Sequence, residues 1–283
     1  MSALDAVISR LEQVKALDAV AERVSVAASS VSHKPPISSA LSGTWIGHPL
    51  HPILTDLPIG SWTSAFVLDL AGGRRARPAA QALVGVGVLT AIPTALTGLS
   101  DWADTGGGTR RVGTFHALAN SVGLACYALS WQARRHGHYG RGVALAMAGA
   151  TAATMAASLG GHLVYRKGTG VDVNVFGPGP ADWTEASSAS SLPSGAGHYV
   201  AAGPAKVLAL RDGPDRWHGI GARCSHRAGP LQEGDFVDGC VVCPWHHSRF
   251  RLDDGSVVDG PATAPQPRYD VSDRDGVLMV RSA

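Results

Sequence analysis

Three long stretches of the chain contain no charged side chain, and they constrain its fold more than any other feature. The runs 79–100, 112–133 and 142–165 hold no Asp, Glu, Lys or Arg. A helix needs about 20 predominantly apolar residues to cross a bilayer. The sequence therefore predicts a transmembrane helix over each run. The alternative, a soluble helical core that is buried on all sides, fits poorly because arginines bound the runs.

A fourth transmembrane helix is predicted over 50–71, which is apolar although it carries Asp56 and Asp69. Charged residues make up 16% of the chain, against roughly 25% in soluble domains. The net charge of only +2 excludes a general nucleic-acid binder, which carries a large basic excess. The predicted helices are rich in Ala, Gly, Ser and Thr, which let helix backbones approach closely in lipid.

The segments on either side of these helices differ from them in composition. Apolar residues recur at steps of three and four near the N-terminus, which predicts an amphipathic helix on the membrane surface or against the C-terminal domain. These residues are Leu4, Val7, Ile8, Leu11, Val14 and Leu17. Beyond residue 170 the chain is rich in Gly and Pro and then alternates short apolar runs with turn residues. This pattern predicts a small β domain.

We expect strands at 199–200, 206–210, 217–220, 237–242, 248–252, 256–258 and 277–281. The predicted fold class is therefore multidomain, with an N-terminal all-α four-helix transmembrane bundle and a C-terminal all-β domain. The chain is predicted to begin with an amphipathic helix and lead-in (1–42), followed by a four-helix domain (43–170). A Gly/Pro linker (171–181) then leads to the β domain (182–283).

Two short cysteine–histidine motifs lie within the predicted β domain. Cys224 and His226 form the first pair, and Cys243 and His246 form the second. Two such pairs could ligate structural zinc. A Rieske [2Fe–2S] centre uses the same four ligands, with two thiolates on one iron and two imidazoles on the other. The order Cys, His, Cys, His then brings one ligand of each kind from each of two loops.

The residues around these motifs favour the iron–sulfur centre. The stretches 224–231, CSHRAGPL, and 243–250, CPWHHSRF, resemble the two cluster-binding loops of the Rieske family. The resemblance covers about 182–283 and implies a [2Fe–2S] cluster held by Cys224, His226, Cys243 and His246. It also implies that Gly229, Pro230 and Pro244 shape the loops and that 261–267 covers the cluster.

The chain departs from the respiratory Rieske proteins in three ways. It lacks the extra cysteine in each loop that forms a disulfide there, and so it resembles Rieske ferredoxins. Ser248 matches a serine that donates a hydrogen bond toward sulfur, but Phe250 stands near the tyrosine position. Fewer donors disfavour the reduced cluster, which predicts a potential low in the range of roughly −150 to +300 mV. His247 replaces a frequent glycine, and we expect it to be a surface side chain.

Four histidines fall at one end of the predicted bundle if its helices alternate in direction: His48, His51, His116 and His162. Their simplest role is hydrogen bonding to carbonyl groups or water. Imidazoles that converge at one depth can also bind haem or another metal, with His116 and His162 as an expected haem pair. A quinone or proton site is a further alternative, because polar groups within spans are usually functional.

The run 48–60, HPLHPILTDLPIG, together with His116 and His162, resembles an uncharacterised bacterial membrane-domain family, domain of unknown function 2231. This resemblance covers about 43–170 and implies a multi-pass protein of the bacterial inner membrane. Six basic residues flank one end of the bundle and five the other, too even a balance for the positive-inside rule to orient it. We expect the β domain to be cytoplasmic, because its cluster then needs no export.

These features predict a membrane-anchored iron–sulfur protein that performs one-electron transfer, as a component of an oxidoreductase system. No Gly-x-Gly-x-x-Gly unit for a flavin or nicotinamide cofactor is present in the sequence, which disfavours a complete reductase. A redox or iron sensor and an anchoring subunit of a larger complex are the alternatives. The expected partners are a redox protein and the bilayer, in a membrane complex or a homo-oligomer.

Overall fold

The structure is a computed structural model that describes residues 3–189, 192–213 and 216–283. The chain folds as two compact units. The helical unit comprises 1–31 and 50–169, and the β unit comprises 32–49 and 170–283.

Four long helices form the body of the helical unit, at the positions that the three uncharged runs and the apolar segment 50–71 predict. They are α4 (Leu50–Ala71), α5 (Arg77–Ala103), α6 (Gly107–Arg135) and α7 (Tyr139–Tyr165). Helix α4 packs mainly on α5, and α6 packs mainly on α7, so the bundle consists of two helical hairpins. Within the described residues, α5, α6 and α7 are long and apolar enough to cross a membrane. Helix α4 forms over the predicted range, and its role as a span remains a prediction.

The N-terminal residues form α1 (Ala3–Leu11) and α2 (Asp18–Ser32), which pack on the long helices of their own unit. Ile8 of α1 is buried against Val112 of α6 and Leu159 of α7. Asp18 accepts two hydrogen bonds from Arg111, at 2.8 and 2.6 Å. This arrangement differs from both sequence expectations, since α1 docks on the bundle helices through apolar burial and ion pairs.

The β unit contains ten short strands in three antiparallel sheets within the described residues. The first sheet has the order β1 (Thr184–Ser188), β10 (Val277–Ser282), β9 (Tyr269–Arg274). The second has β2 (Gly197–Ala202), β3 (Ala205–Arg211), β4 (Trp217–Gly221). The third has β5 (Asp235–Val237), β6 (Cys240–Val242), β7 (Arg249–Arg251), β8 (Val257–Asp259).

Three details of the strand prediction need correction. The single strand expected at 237–242 is a hairpin of β5 and β6, because Asp238 and Gly239 turn the chain with φ of 50° and 70°. Strands β1 and β9 were not predicted. Their sequences, TEASS and YDVSDR, lack the apolar runs on which the prediction depended. Both pair with the apolar strand β10, which supplies the burial that they lack.

The segment Ser32–Pro49, which includes α3 (Ile37–Ser42), belongs to the β unit although it precedes the long helices in sequence. Thr44 donates a hydrogen bond from Oγ1 to the carbonyl of Ala262 at 2.7 Å. Ser39 Oγ accepts one from the amide of Gly260 at 3.0 Å. The boundary predicted at 42/43 divides this segment, because composition gives no sign of contacts so distant in sequence.

Candidate metal centre

The loop after β4 carries Cys224 and His226 in a tight turn. The Cys224 amide donates to the carbonyl of Gly229 at 2.9 Å, and the Ala228 amide donates to the carbonyl of Cys224 at 2.7 Å. Ala228 closes the turn in the left-handed region, with φ of 57°. This conformation is uncommon for a residue with a Cβ. The turn therefore holds Cys224 and His226 on one short, hydrogen-bonded loop.

The loop between β6 and β7 repeats this geometry around Cys243 and His246. The Cys243 amide donates to the carbonyl of Ser248 at 2.8 Å, and the His247 amide donates to the carbonyl of Cys243 at 3.1 Å. His247 has φ of 63° and so occupies the position that Ala228 holds in the first loop. Each loop therefore presents one sulfur and one imidazole from the same backbone frame.

The two sulfurs meet inside the β unit, where each cysteine is only 1% exposed. The hydrogen bond with Cys243, followed by burial, raises the pKa of Cys224, while the bond from Cys224 lowers the pKa of Cys243 to about 7. Backbone N–H groups also point at each sulfur, from residues 226 and 227 to Cys224 and from residues 245 and 246 to Cys243. These donors stabilise thiolates, the form that binds a metal.

The two imidazoles lie together on the same side of the loops. The ring centroids of His226 and His246 are 5.1 Å apart, with the planes at 84°. His33, from the segment Ser32–Pro49, packs edge-on against His246, with its centroid 5.6 Å away. Sequence spacing does not predict a role for His33, because His33 is far from both loops in the sequence and no spacing rule connects it to either motif.

Gly229 brings the first loop against the second. A Cβ at this position would lie 2.7 Å from Cys243 Sγ and 3.4 Å from the Trp245 ring. A glycine is therefore required for the close approach of backbone to sulfur. The four donor side chains and this cradle fit a centre with two thiolate and two imidazole ligands.

The segment 261–267 packs on both loops, where the sequence places a cover. Ser225 Oγ donates to the carbonyl of Ala264 at 2.6 Å, and the Ala262 amide donates to Ser248 Oγ at 2.9 Å. Ser248 and Phe250 are both fully buried. Phe250 belongs to the core around the two cysteines and has no polar hydrogen to donate to sulfur.

Comparison with known proteins agrees with this geometry. Residues 182–270 match the family model of the Rieske [2Fe-2S] domain. The chain contains a Rieske [2Fe–2S] domain. Residues 47–173, N-terminal to it, match the family described as predicted membrane protein DUF2231. Together the two matches account for the all-β and the helical parts of the predicted fold.

The relatives of the Rieske domain are diverse. Apoptosis-inducing factor 3 of Homo sapiens is 31% identical over 108 residues, which are 38% of this chain and 18% of that protein. The chain thus spans about a fifth of that relative's length. Ferredoxin CarAc of Metapseudomonas resinovorans is 26% identical over 98 residues, 35% of this chain and 92% of the ferredoxin.

Among solved structures, the ferredoxin of carbazole 1,9a-dioxygenase from Nocardioides aromaticivorans IC177 is 24% identical. It covers 36% of this chain and 100% of its own, with a TM-score of 0.34.

The four histidines that the sequence places at one end of the bundle have different partners. His48 is exposed, and its Nδ1 lies 3.0 Å from the carbonyl oxygen of Pro49, the next residue. His51 and His116 each bond to a carbonyl on the adjacent helix. His162 pairs with Glu12 of the segment after α1, at 3.3 Å. The two members of the expected haem pair therefore have different partners: a backbone carbonyl for His116 and a carboxylate for His162.

Proposed function

We propose that the chain is a membrane-anchored one-electron carrier. The sulfurs of Cys224 and Cys243 hold one iron of a [2Fe–2S] cluster, and the imidazoles of His226 and His246 hold the other. The convergence of these four side chains from two equivalent loops carries the proposal. A cluster bound there supplies a reversible one-electron couple. Its ferredoxin relatives support electron transfer as its use.

The protein groups around the site set how readily an electron is accepted. Backbone N–H groups directed at each sulfur favour the reduced state, because they stabilise added negative charge. Phe250, where a hydroxyl would donate, contributes no such bond. Because this side-chain donor is absent, we expect the midpoint potential in the lower part of the roughly −150 to +300 mV Rieske range. A redox titration followed by EPR measures it, and a midpoint near the upper limit would contradict this balance of donors.

Electrons enter and leave at the surface formed by the second loop. Trp245 is 53% exposed, and its ring centroid lies 6.4 Å from that of His246. An aromatic ring at an exposed loop is a suitable contact for a partner protein. The redox partner docks at this surface. Replacement of Trp245 with Ala should slow electron exchange with the physiological partner and leave the midpoint potential nearly unchanged.

The helical unit anchors the carrier in the bacterial inner membrane, with the β unit on the cytoplasmic side. Reporter fusions at the α4–α5 turn and after residue 283 test the orientation. We expect a periplasmic reporter to be active only at the turn. Activity only at the C-terminal fusion would reverse the orientation.

The ligand assignment is tested by EPR and nitrogen ENDOR on the reduced full-length protein. We expect hyperfine coupling from two imidazole nitrogens, and loss of the cluster when His226 or His246 is replaced with Ala. His247→Gly is the matched control, since it changes the adjacent histidine of the same loop. A cluster that persists in His246→Ala but not in His247→Gly would move the ligand to His247. Zinc without iron in the wild-type protein would overturn the proposal.

A further inference from the structure

The two hairpins of the helical unit share one local design around a histidine. His51 of α4 faces the carbonyl of Thr94 on α5, with Nδ1 to oxygen at 2.9 Å. His116 of α6 faces the carbonyl of Ala156 on α7, at 2.8 Å. A carbonyl can only accept, so Nδ1 carries the proton in both rings and Nε2 keeps its lone pair.

Each imidazole lies against a glycine one turn beyond the carbonyl that it contacts. A Cβ at Gly98 would lie 2.6 Å from the His51 ring, and a Cβ at Gly160 would lie 3.1 Å from the His116 ring. Both glycines therefore make room for a ring between the helices of their hairpin. A histidine that only formed a hydrogen bond at a helix surface would not need a glycine on the adjacent helix, yet both hairpins have one.

The repeat continues along the helices. Eleven residues after each histidine comes an aromatic residue, Trp62 in α4 and Tyr127 in α6. Each aromatic ring packs on a glycine of the adjacent helix, Gly87 and Gly149 respectively. The two hairpins are thus equivalent, with α4 matching α6 and α5 matching α7.

Equivalent residues of the two hairpins contact each other. Trp62 stacks on Tyr127, with ring centroids 3.9 Å apart and planes 7° from parallel. Asp69 and Arg134, seven residues further on in each helix, form a buried pair at 2.8 and 2.5 Å. Residues that touch their own equivalents lie on the local twofold axis that relates the hairpins. This axis runs along the bundle, because α4 and α6 point the same way.

His51 and His116 are the third equivalent pair on these helices. They lie about 16 Å along the helix from the aromatic stack, at 1.5 Å per residue. Asn120, one turn after His116, places its amide nitrogen 3.1 Å from His116 Nε2, so it donates to the lone pair of that atom and has to move aside when a metal binds there.

We infer that His51 and His116 bind a transition-metal centre on the axis of the helical unit through their Nε2 atoms. Donation of Nδ1–H to a backbone carbonyl is the usual support for a metal-bound imidazole, because it orients the ring and increases its basicity. Two protein nitrogens leave most of a first-row metal's coordination to be filled. Haem iron, with four porphyrin nitrogens, and a bare ion with water ligands share this imidazole chemistry.

The inference assigns no ligand role to the other two histidines. His162 is paired with Glu12 at 3.3 Å, and His48 is exposed and precedes α4 by two residues in the sequence. They provide controls, since each is a histidine close in sequence to the end of a long helix. The inference is also independent of the Rieske cluster, whose ligands lie in the β unit.

The test is metal analysis and an optical spectrum of the full-length protein purified in detergent, with cluster EPR on the same sample. We expect metal beyond the two irons that accompany two acid-labile sulfides. His51→Gln and His116→Gln should each remove most of it, by equal factors because the sites are equivalent. His48→Gln and His162→Gln should retain it, and the cluster EPR signal should be unchanged in all four variants.

A Soret band that disappears with the extra metal identifies haem, whereas extra metal without such a band identifies a bare ion, and both support the inference. Wild-type protein with an intact cluster signal and no extra metal overturns it. So does extra metal that survives in the double variant His51→Gln/His116→Gln. Loss of the cluster signal alone contradicts the proposed electron carrier and leaves this inference standing.

Discussion

At the scale of single residues, the cluster loops depend on backbone that most side chains do not tolerate. Ala228 and His247 close their loops in the left-handed region, and Gly229 lies in contact with Cys243. The resemblance to the Rieske family named the ligands and Gly229. It did not show that the two loops share one hydrogen-bond frame, because that frame appears only when the backbones are compared.

Gly229→Ala should abolish cluster incorporation, since the added Cβ would lie 2.7 Å from Cys243 Sγ. Iron and acid-labile sulfide content measure the effect. Gly203→Ala is the control, because Gly203 has φ of 58° but open space around it, so it adds backbone strain without a clash. Equal cluster loss in both variants would show that contact with sulfur is not the specific cause.

His247→Gly should stabilise the β unit by about 1 kcal/mol, because an L-residue in the left-handed region costs roughly 1–2 kcal/mol. Chemical denaturation of the cluster-loaded protein, followed by loss of visible absorbance, measures the change. The EPR spectrum should stay as in the wild type, since His247 is exposed. A destabilised variant would show that the His247 side chain makes contacts worth more than the strain.

At the scale of elements, the described part of α1 is held to the bundle by the buried Ile8, the partly buried Leu11 and several ion pairs. Ile8→Ala should weaken its docking by about 2–4 kcal/mol, as is typical for a buried Ile or Leu. Hydrogen exchange of the α1 amides reports the local opening. Val7→Ala is the control, because Val7 is 52% exposed. Similar exchange in both variants would mean that the ion pairs alone hold the helix.

The docking of α1 should also depend on pH. A hydrogen bond from Lys167 is the main cause that lowers the pKa of Glu12 below its ordinary value of 4.5, and His162 adds a smaller effect. A lowered folded-state pKa stabilises docking above pH 4.5 and loses this contribution as pH falls through the folded value. Spin-label mobility at Val7→Cys should therefore rise below pH 4.5. Glu12→Gln should show no such rise, and a rise of equal size in that variant would contradict the assignment to Glu12.

At the scale of the whole helical unit, the local twofold axis makes a strong test possible. Loss of one partner of a buried ion pair costs about 3–5 kcal/mol, so Asp69→Asn and Arg134→Gln should each lower the melting temperature in detergent. The swapped double variant Asp69→Arg/Arg134→Asp should recover part of this loss, because the two positions are equivalent. Tyr139, which donates to Asp69 at 2.5 Å, makes the recovery incomplete. A double variant less stable than either single variant would contradict the symmetry.

The sequence by itself determined the elements and the chemistry that depend on neighbouring residues. Three uncharged runs and one apolar segment that carries two aspartates predicted the four long helices, because helix length and polarity are local properties. The order Cys, His, Cys, His allowed zinc or a [2Fe–2S] cluster, and the resemblance of the surrounding residues to the Rieske family favoured the cluster. The structure places the two imidazoles 5.1 Å apart and both cysteines in one buried core, and the family comparison identifies the Rieske domain.

Only the tertiary structure decided which distant groups meet. It placed His33 beside His246, docked α1 on α6 and α7, and gave His51 and His116 equivalent carbonyl partners in the two hairpins. It also joined β1 and β9 to β10. Such contacts depend on packing among residues far apart in the chain. Periodicity and composition report only on a residue's own helix or strand, so they contain no information about these partners.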